Sequence, residues 1–459
     1  MSCSKRRSRK VVLLKGEALI VTFSLVLCCS ILFSLPQSGL ALRGFDMTQM
    51  SDMSDFDPNH PVIPTGDTIK IGLLSIFSGA GAESGEYHWP IANWVAHDIN
   101  KRGGLLVDGK RKKIQIVKGD TQGKPEIARK VAEKLCLEDK VHFLVCTVGS
   151  HLALVVQQVA AKHKVVFLNY GGYSDDLMNG SNFNRYTFRT VANTTMFGNA
   201  LAYYYSQRPE RKFYILCQDY LFGHQIADAF KSGLKRYKPK AEIVGEDYHP
   251  LFAKDFAPYL TKIQGSGAEV IFTGDWFLDS QNLLKQARGL GIQLPFAHLF
   301  MNDPNLLTAV GPTGSAGLVN ANQFLIDDDT PAHKAWLTKW NDQWKGWKKP
   351  YNTLYYKWPS DQTGMNLSHL YWLMDVIQRA GSTDPEKIIP VWEGDEYKSI
   401  SGPWRMRACD HQAIMDLYAT EYVYPNKWFE RCAYNGKIVK IPAQYVAPPV
   451  PEDLDRCKK

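Results

Sequence analysis

The sequence predicts an α/β protein built from two similar halves, each a parallel sheet flanked by helices. Three observations predict it. Short apolar runs alternate with amphipathic ones from Ile69 onward, the alternation restarts near Arg211, and glycine or polar residues close most of the apolar runs. Repeated strand, helix, strand units imply parallel pairing through right-handed crossovers. A chain of 459 residues with 45% hydrophobic content can fill two such cores.

The opening MSCSKRRSRK is basic, and residues 18–35, ALIVTFSLVLCCSILFSL, carry no charge. Gly39-Leu40-Ala41 then offers small residues two apart. A basic head, an apolar middle and a small-residue exit predict a secretory signal over residues 1–41 and a periplasmic protein. The alternative is a retained anchor, since about eighteen apolar residues can just cross a bilayer. Residues 42–67 are polar, hold Pro58, Pro61 and Pro64, and read as a tether or a strap.

The first half begins with the strand IKIGLLSIF. A helix follows, with Trp89, Ala92, Val95, Ala96 and Ile99 on one face and Gly103-Gly104 as its stop. Next come the strand KIQIVKGD, the helix PEIARKVAEKLCLED, the strand VHFLVCTVG, a helix from Leu152 to His163 and the strand VVFLN. Phe188 to Asn193 is where the chain passes between halves. The second half repeats the design with RKFYILCQD, GHQIADAFKSGLKRY, AEIVGEDYH, a helix from Phe256 to Gln264, AEVIFTGDW and DSQNLLKQARGLG.

The last third is less regular. Trp336, Trp340 and Trp344 fall four apart, which suits the packing stripe of a docked helix; an exposed aromatic platform is the alternative. MNLSHLYWLMDVIQRAG is a further helix ended by glycine.

The net charge of +8 comes partly from the basic head and forms no patch that would argue for nucleic acid. Gly79, Gly81 and Gly85 are spaced two and four, and Asp120 comes 35 residues after Gly85, where a dinucleotide fold wants G-x-G-x-x-G and an acid about twenty residues on. GDTQGKP is one residue short of a phosphate loop and has proline in place of the Ser/Thr. The chain has no H-E-x-x-H, G-x-S-x-G or C-x-x-C, so no cofactor, metal or catalytic group is predicted. Cys146 and Cys217 lie in apolar runs and read as buried thiols. Cys409 with Cys432 is the best candidate bridge in an exported chain.

Polar and aromatic residues gather at the carboxyl ends of the predicted strands: Ser78-Gly79, Ser150, Tyr170 to Tyr173, Asp219 to Gly223 and Asp275-Trp276. Ligands bind at that edge of open parallel sheets. Two such edges facing each other can enclose a solute, with glycine admitting backbone N–H groups, Ser150 adding a donor and the aromatics supplying apolar walls.

The motifs IKIGLLSIFSG, DINKRGG, QDYLFG and VIFTGDW followed by LLKQARGLG, in this order and spacing, resemble the periplasmic solute-binding proteins of the leucine/isoleucine/valine type. The resemblance runs from Ile69 to about Tyr422. It implies the type I periplasmic binding fold, two Rossmann-like lobes joined by three hinge crossovers. Lobe I would take residues 68–190 and about 322–398, lobe II residues 191–321 and about 399–424, with a C-terminal extension over 425–459. It also implies a monomeric, non-enzymatic receptor that closes on a small organic solute and serves an ABC permease of the inner membrane. A ligand sensor of the same fold is the alternative. Family knowledge places Ser150, Gly171 and Tyr173 on the ligand carboxylate, Phe222 and Trp276 as aromatic walls, and Ser84 facing them. The family acid that holds a ligand ammonium matches Phe300 here, with Asp303 reachable only by a gap. A buried ammonium without a partner is costly, so this departure favours an aromatic or other apolar carboxylate over an ordinary amino acid, with small amides as a further option.

Overall fold

The computed structural model describes residue 45 and residues 47–326, 330–359 and 361–458; the predicted signal lies outside them. The first sheet contains β1 (Thr68–Ser75), β2 (Leu105–Val107), β3 (Lys110–Asp120), β4 (Phe143–Cys146), β5 (Val166–Asn169) and β6 (Thr187–Arg189). Their spatial order is β2-β3-β1-β4-β5-β6, parallel except for the β2–β3 hairpin. Phe143, Leu144, Val145 and Cys146 are all buried, as a strand covered by helices on both faces requires.

The second sheet begins with β7 (Lys212–Gln218), β8 (Glu242–His249), β9 (Val270–Phe272), β10 (Phe296–His298) and β11 (Val319–Asn322). The small strands β12 (Glu396–Ser399), β13 (Gly402–Met406) and β14 (Ala413–Met415) form an antiparallel sheet of their own. The chain then returns with β15 (Leu417–Val423), antiparallel to β11, and β16 (Tyr434–Ile441), antiparallel to β15, giving the order β16-β15-β11-β10-β9-β7-β8. The β12–β13 hairpin packs on lobe I, where Tyr397 stacks on Trp372 at 5.5 Å and Trp404 lies 5.1 Å from His369. A lobe boundary near 399 would therefore fall inside this hairpin, and β16 makes part of residues 425–459 integral to the second sheet.

The crossovers are laced to one another by side-chain amides. Gln323 accepts from the Ala192 N–H at 2.9 Å and donates to the Thr190 carbonyl at 3.1 Å. Gln412 donates to the Val191 carbonyl at 3.0 Å, and the Arg189 N–H donates to the His411 carbonyl at 2.9 Å. The Arg189 side chain, buried to 1% exposure, donates from Nε to Gln412 Oε1 and from a terminal nitrogen to the Ser174 carbonyl. Burial lowers its pKa to about 10, which leaves it charged at neutral pH. Replacing it with methionine takes the donor from the buried Gln412 Oε1 and leaves the Ser174 carbonyl with the Leu177 N–H alone, and we expect urea denaturation to show a loss of about 3 kcal/mol; an unchanged midpoint would mean the crossovers hold without it.

A fourth passage follows. After β16, the helix Ala443–Val446 packs on lobe II, where Asn199 and Tyr237 donate to the Val446 and Tyr445 carbonyls at 3.3 and 2.6 Å. The chain then reaches lobe I, where Asp453 accepts from the Gly180 N–H at 2.9 Å. Cys457 there closes a disulfide with Cys409. This corrects the expected Cys409–Cys432 pair: Cys432 is a buried free thiol, as are Cys146 and Cys217.

Residues 47–56 form a strap. Met47, Met50, Met53 and Phe56 are buried, Trp94 Nε1 donates to Met50 Sδ at 3.0 Å, and the Ser51 hydroxyl donates to Asp98 at 2.7 Å. Trp336 and Trp340 of the stripe are buried with Trp94 and Trp347, and the half-buried Trp344 packs on the same core and donates to the Tyr351 carbonyl at 3.1 Å, so the stripe is packing rather than a platform.

Candidate functional site

The glycine loop after β1 is closed upon itself. Asp120, at the end of the neighbouring β3, accepts from the Phe77 N–H at 2.9 Å and from the Ser78 hydroxyl at 2.6 Å. The N–H groups of Ala82, Ser84 and Gly85 donate to the carbonyls of Gly79, Gly81 and Ala82. The loop thus serves to start the helix Glu83–Lys101. A Cβ on Gly85 would stand 2.5 Å from the Ile76 carbonyl oxygen, so the helix entry needs glycine there.

At the carboxyl edge of β4, Gly149 adopts φ +97° and starts the helix Ser150–His163. Ser150 Oγ accepts from the N–H groups of Tyr173 and Ser174 at 3.2 and 3.1 Å. Both its lone pairs are engaged, which leaves its proton to donate. The helix N-terminus adds positive partial charge at the same point. Gly171 fits because a Cβ there would come within 2.4 Å of the Thr147 carbonyl oxygen, and its own carbonyl accepts from the Gly149 N–H at 3.1 Å.

The second lobe faces this edge with aromatic rings. Phe222 opens the helix after β7, and Trp276 and Phe277 follow β9. Trp276 Nε1 donates to the Tyr220 hydroxyl at 2.7 Å, and the indole meets Phe252 edge-on at 5.7 Å. Tyr173, from lobe I, lies 5.8 Å from Phe222 and 5.5 Å from Phe300, so rings of both lobes meet. Asp303 caps the helix Pro304–Ser315, accepting from the Asn305 N–H at 2.8 Å, and burial raises its pKa.

Between the lobes lies a cavity of about 230 Å³. Of the residues expected at the ligand, Ser150, Gly171, Tyr173, Phe222, Trp276 and Asp303 all line it. Ser84 is not among the lining residues; its hydroxyl sits within hydrogen-bonding distance of the Gly81 and Ile76 carbonyl oxygens, at 2.9 and 3.2 Å, and is fully buried. Its neighbours Glu83, Glu86, Tyr87 and His88 reach the cavity instead.

Tyr220, within the strand-end run Asp219 to Gly223, also lines the cavity, and sequence reasoning missed Gln281 and the segment contributing Pro350, Thr353, Tyr355 and Tyr356. The aromatic density of YNTLYYKW was the available signal for that segment. Its Tyr356 hydroxyl donates to the Glu86 carbonyl at 2.9 Å. His88 Nδ1 lies 2.7 Å from the Ser84 carbonyl oxygen, and burial lowers its pKa to about 4, so the ring is neutral near pH 7 with Nδ1 protonated and Nε2 left as an acceptor. Glu83 still meets solvent in the cleft. The surrounding protein, followed by Asp303 and Glu86, raises its pKa to about 7.

Among the described residues, no cluster of His, Cys, Asp and Glu could hold a metal ion.

The model of the periplasmic binding protein family matches residues 68–426. A Leu/Ile/Val-binding protein homolog of Brucella melitensis is 25% identical over 368 residues, covering 78% of this chain and 84% of its own. A periplasmic binding protein of Burkholderia mallei superposes with a TM-score of 0.71 at 25% identity, over 85% of this chain and 98% of its own. A solute-binding protein of an ABC transporter from Rhodopseudomonas palustris, solved with 3,4-dihydroxybenzoic acid, gives 0.70 at 20% identity, over 82% and 98%. The two-lobed chain with its interlobe cavity belongs to the periplasmic binding protein family and carries its type I fold.

Proposed function

We propose that this protein is the periplasmic receptor of an ABC importer. It closes its lobes on a small carboxylate with an apolar body and presents the closed form to a membrane permease. The observation that carries the reading is the Ser150 hydroxyl, with both lone pairs occupied and its proton free to donate, at a helix N-terminus in a cavity whose lining includes the rings of Tyr173, Phe222, Trp276 and Phe300. An anion is the group best served by such donors. The relative from Brucella melitensis and the Rhodopseudomonas palustris protein support the same chemistry, since one is named for amino acids and the other was solved with an aromatic acid. The role is binding without turnover. A ligand that touches both lobes only when they are shut favours the shut state by that difference in contacts, and the crossovers need only bend.

A thermal-shift screen of apolar carboxylates against their matching alcohols tests this. Carboxylates raise the melting temperature and the alcohols do so far less. Ser150→Ala lowers affinity for the best carboxylate by about tenfold or more, the worth of a hydrogen bond to a charged group. Equal binding by wild type and Ser150→Ala would sink the assignment of that residue, and a preference for the alcohols would sink the carboxylate.

A further inference from the structure

The cavity has two chemically different ends. One is the donor edge, where the Ser150 hydroxyl keeps its proton to donate beside Gly171 and Tyr173, whose N–H groups go to Asn169 Oδ1 and Ser150 Oγ. The other holds Glu83, which opens the helix Glu83–Lys101 of lobe I, and Asp303, which caps the helix Pro304–Ser315 of lobe II; both line the same cavity. These acids come from opposite lobes, so shutting the cleft presses like charges together. Such a contact, offset only in part by Lys285, which acts on both acids, opposes closure unless a further positive group enters between them or one acid takes a proton.

Resting on the carboxylate reading above, we propose that the ligand carries, across its apolar body from the carboxylate, a primary ammonium or amidinium held between Glu83 and Asp303. Glu83 is then a specificity-determining residue. The ligand cation removes the repulsion, so the lobes shut on a molecule charged at both ends and resist shutting on one without the cation.

The sheet sets the separation of the two charges. The loop bearing Glu83 follows β1, Ser150 follows β4, and Gly171 and Tyr173 follow β5, in the spatial order β1-β4-β5. One strand spacing separates the end of β1 from that of β4 and two separate it from that of β5, about 5 to 10 Å, and Glu83 opens the helix entered from β1. An α-amino acid has both charges on one carbon and does not span this distance. An ω-amino carboxylate or an aminoalkyl benzoate does. Phe300, where the family resemblance expects the ammonium-binding acid, lies instead among the rings of the wall, 5.5 Å from Tyr173 and 6.2 Å from Phe222.

The groups facing Glu83 are Glu86 on its own helix, Asp303, Lys285 and Gln281 of the helix Leu278–Gly289, and Tyr356. Partial desolvation by the cleft walls, then Asp303 and Glu86, raise Glu83 to about 7, against the partial offset of Lys285 and Gln281. Glu83 is therefore largely neutral at pH 6 and largely ionised at pH 8, so affinity for a cation rises with pH across this window.

The test is calorimetric titration of the purified protein with matched pairs, 6-aminohexanoate against heptanoate and 4-(aminomethyl)benzoate against 4-ethylbenzoate, with L-leucine alongside, at pH 6 and pH 8. At pH 8 we expect the amino member of at least one pair to bind about tenfold or more tightly than its partner and than leucine. The advantage shrinks at pH 6, and Glu83→Gln removes it. Tighter binding of heptanoate or 4-ethylbenzoate than of the amino members, tightest binding of leucine, or a preference unchanged in Glu83→Gln, overturns the inference and leaves the carboxylate reading standing. If no carboxylate of any kind binds, both fall.

Discussion

Trp276→Ala is expected to weaken binding of the best carboxylate by at least about thirtyfold, the effect of removing a large buried ring from the centre of a binding site. The indole makes one wall of the cavity and is fixed by its hydrogen bond to Tyr220 and its edge contact with Phe252. Truncation therefore opens the pocket and also frees the Tyr220 ring. Trp276→Phe keeps a ring but loses the Nε1 hydrogen bond, so it should fall between wild type and alanine. Titration of the three proteins checks the order. Equal affinities would show that the solute lies elsewhere in the cleft.

The second large effect concerns stability. Cys409 and Cys457 are 48 residues apart in sequence, and closing a loop of that length removes unfolded-state entropy worth up to about 4 kcal/mol. Cys457→Ser should lose most of that in urea denaturation, and reductant should bring the wild type down to the variant. The loss also has a location. The disulfide pins the chain to lobe I after it has left lobe II, so the variant should become open to limited proteolysis between Ala447 and Lys458 while lobe I stays intact. A variant as stable as the oxidised wild type would show that Arg456, which reaches Glu393 and the Ala408 carbonyl, holds the terminus by itself.

Lobe I was legible because β1, β4 and β5 are dominated by apolar runs bounded by glycine or polar turns, and because β3, though mostly polar, alternates Ile114 and Ile116 into the core. The short strand β10 and the polar strand β11 escaped notice for physical reasons. β11 reads VNAN, yet Asn320 and Asn322 are buried, with Asn322 donating to the Thr420 hydroxyl of β15 at 3.0 Å. Internal amide pairing there replaces the apolar pattern that marks a buried strand.

Within the site, strand ends pointed to Ser150, Gly171, Tyr173, Phe222 and Trp276 as cavity residues. Ser84, placed facing the rings by the family resemblance rather than by a strand end, is not a lining residue. One residue along a helix rotates a side chain by about 100°, enough to turn Ser84 into the loop and Glu83 into the cleft. The wall from Pro350 to Tyr356 and the partner of Cys409 were hidden because both depend on chain returning from far away in sequence, which local patterns do not record.

A crystal structure of the protein with the most tightly bound carboxylate probe tests the central claim most directly. The account predicts the carboxylate about 3 Å from Ser150 Oγ and the apolar body between Tyr173 and Trp276, touching both lobes. A ligand outside the interlobe cavity, or one whose carboxylate avoids Ser150 and the backbone around Gly171, would contradict it.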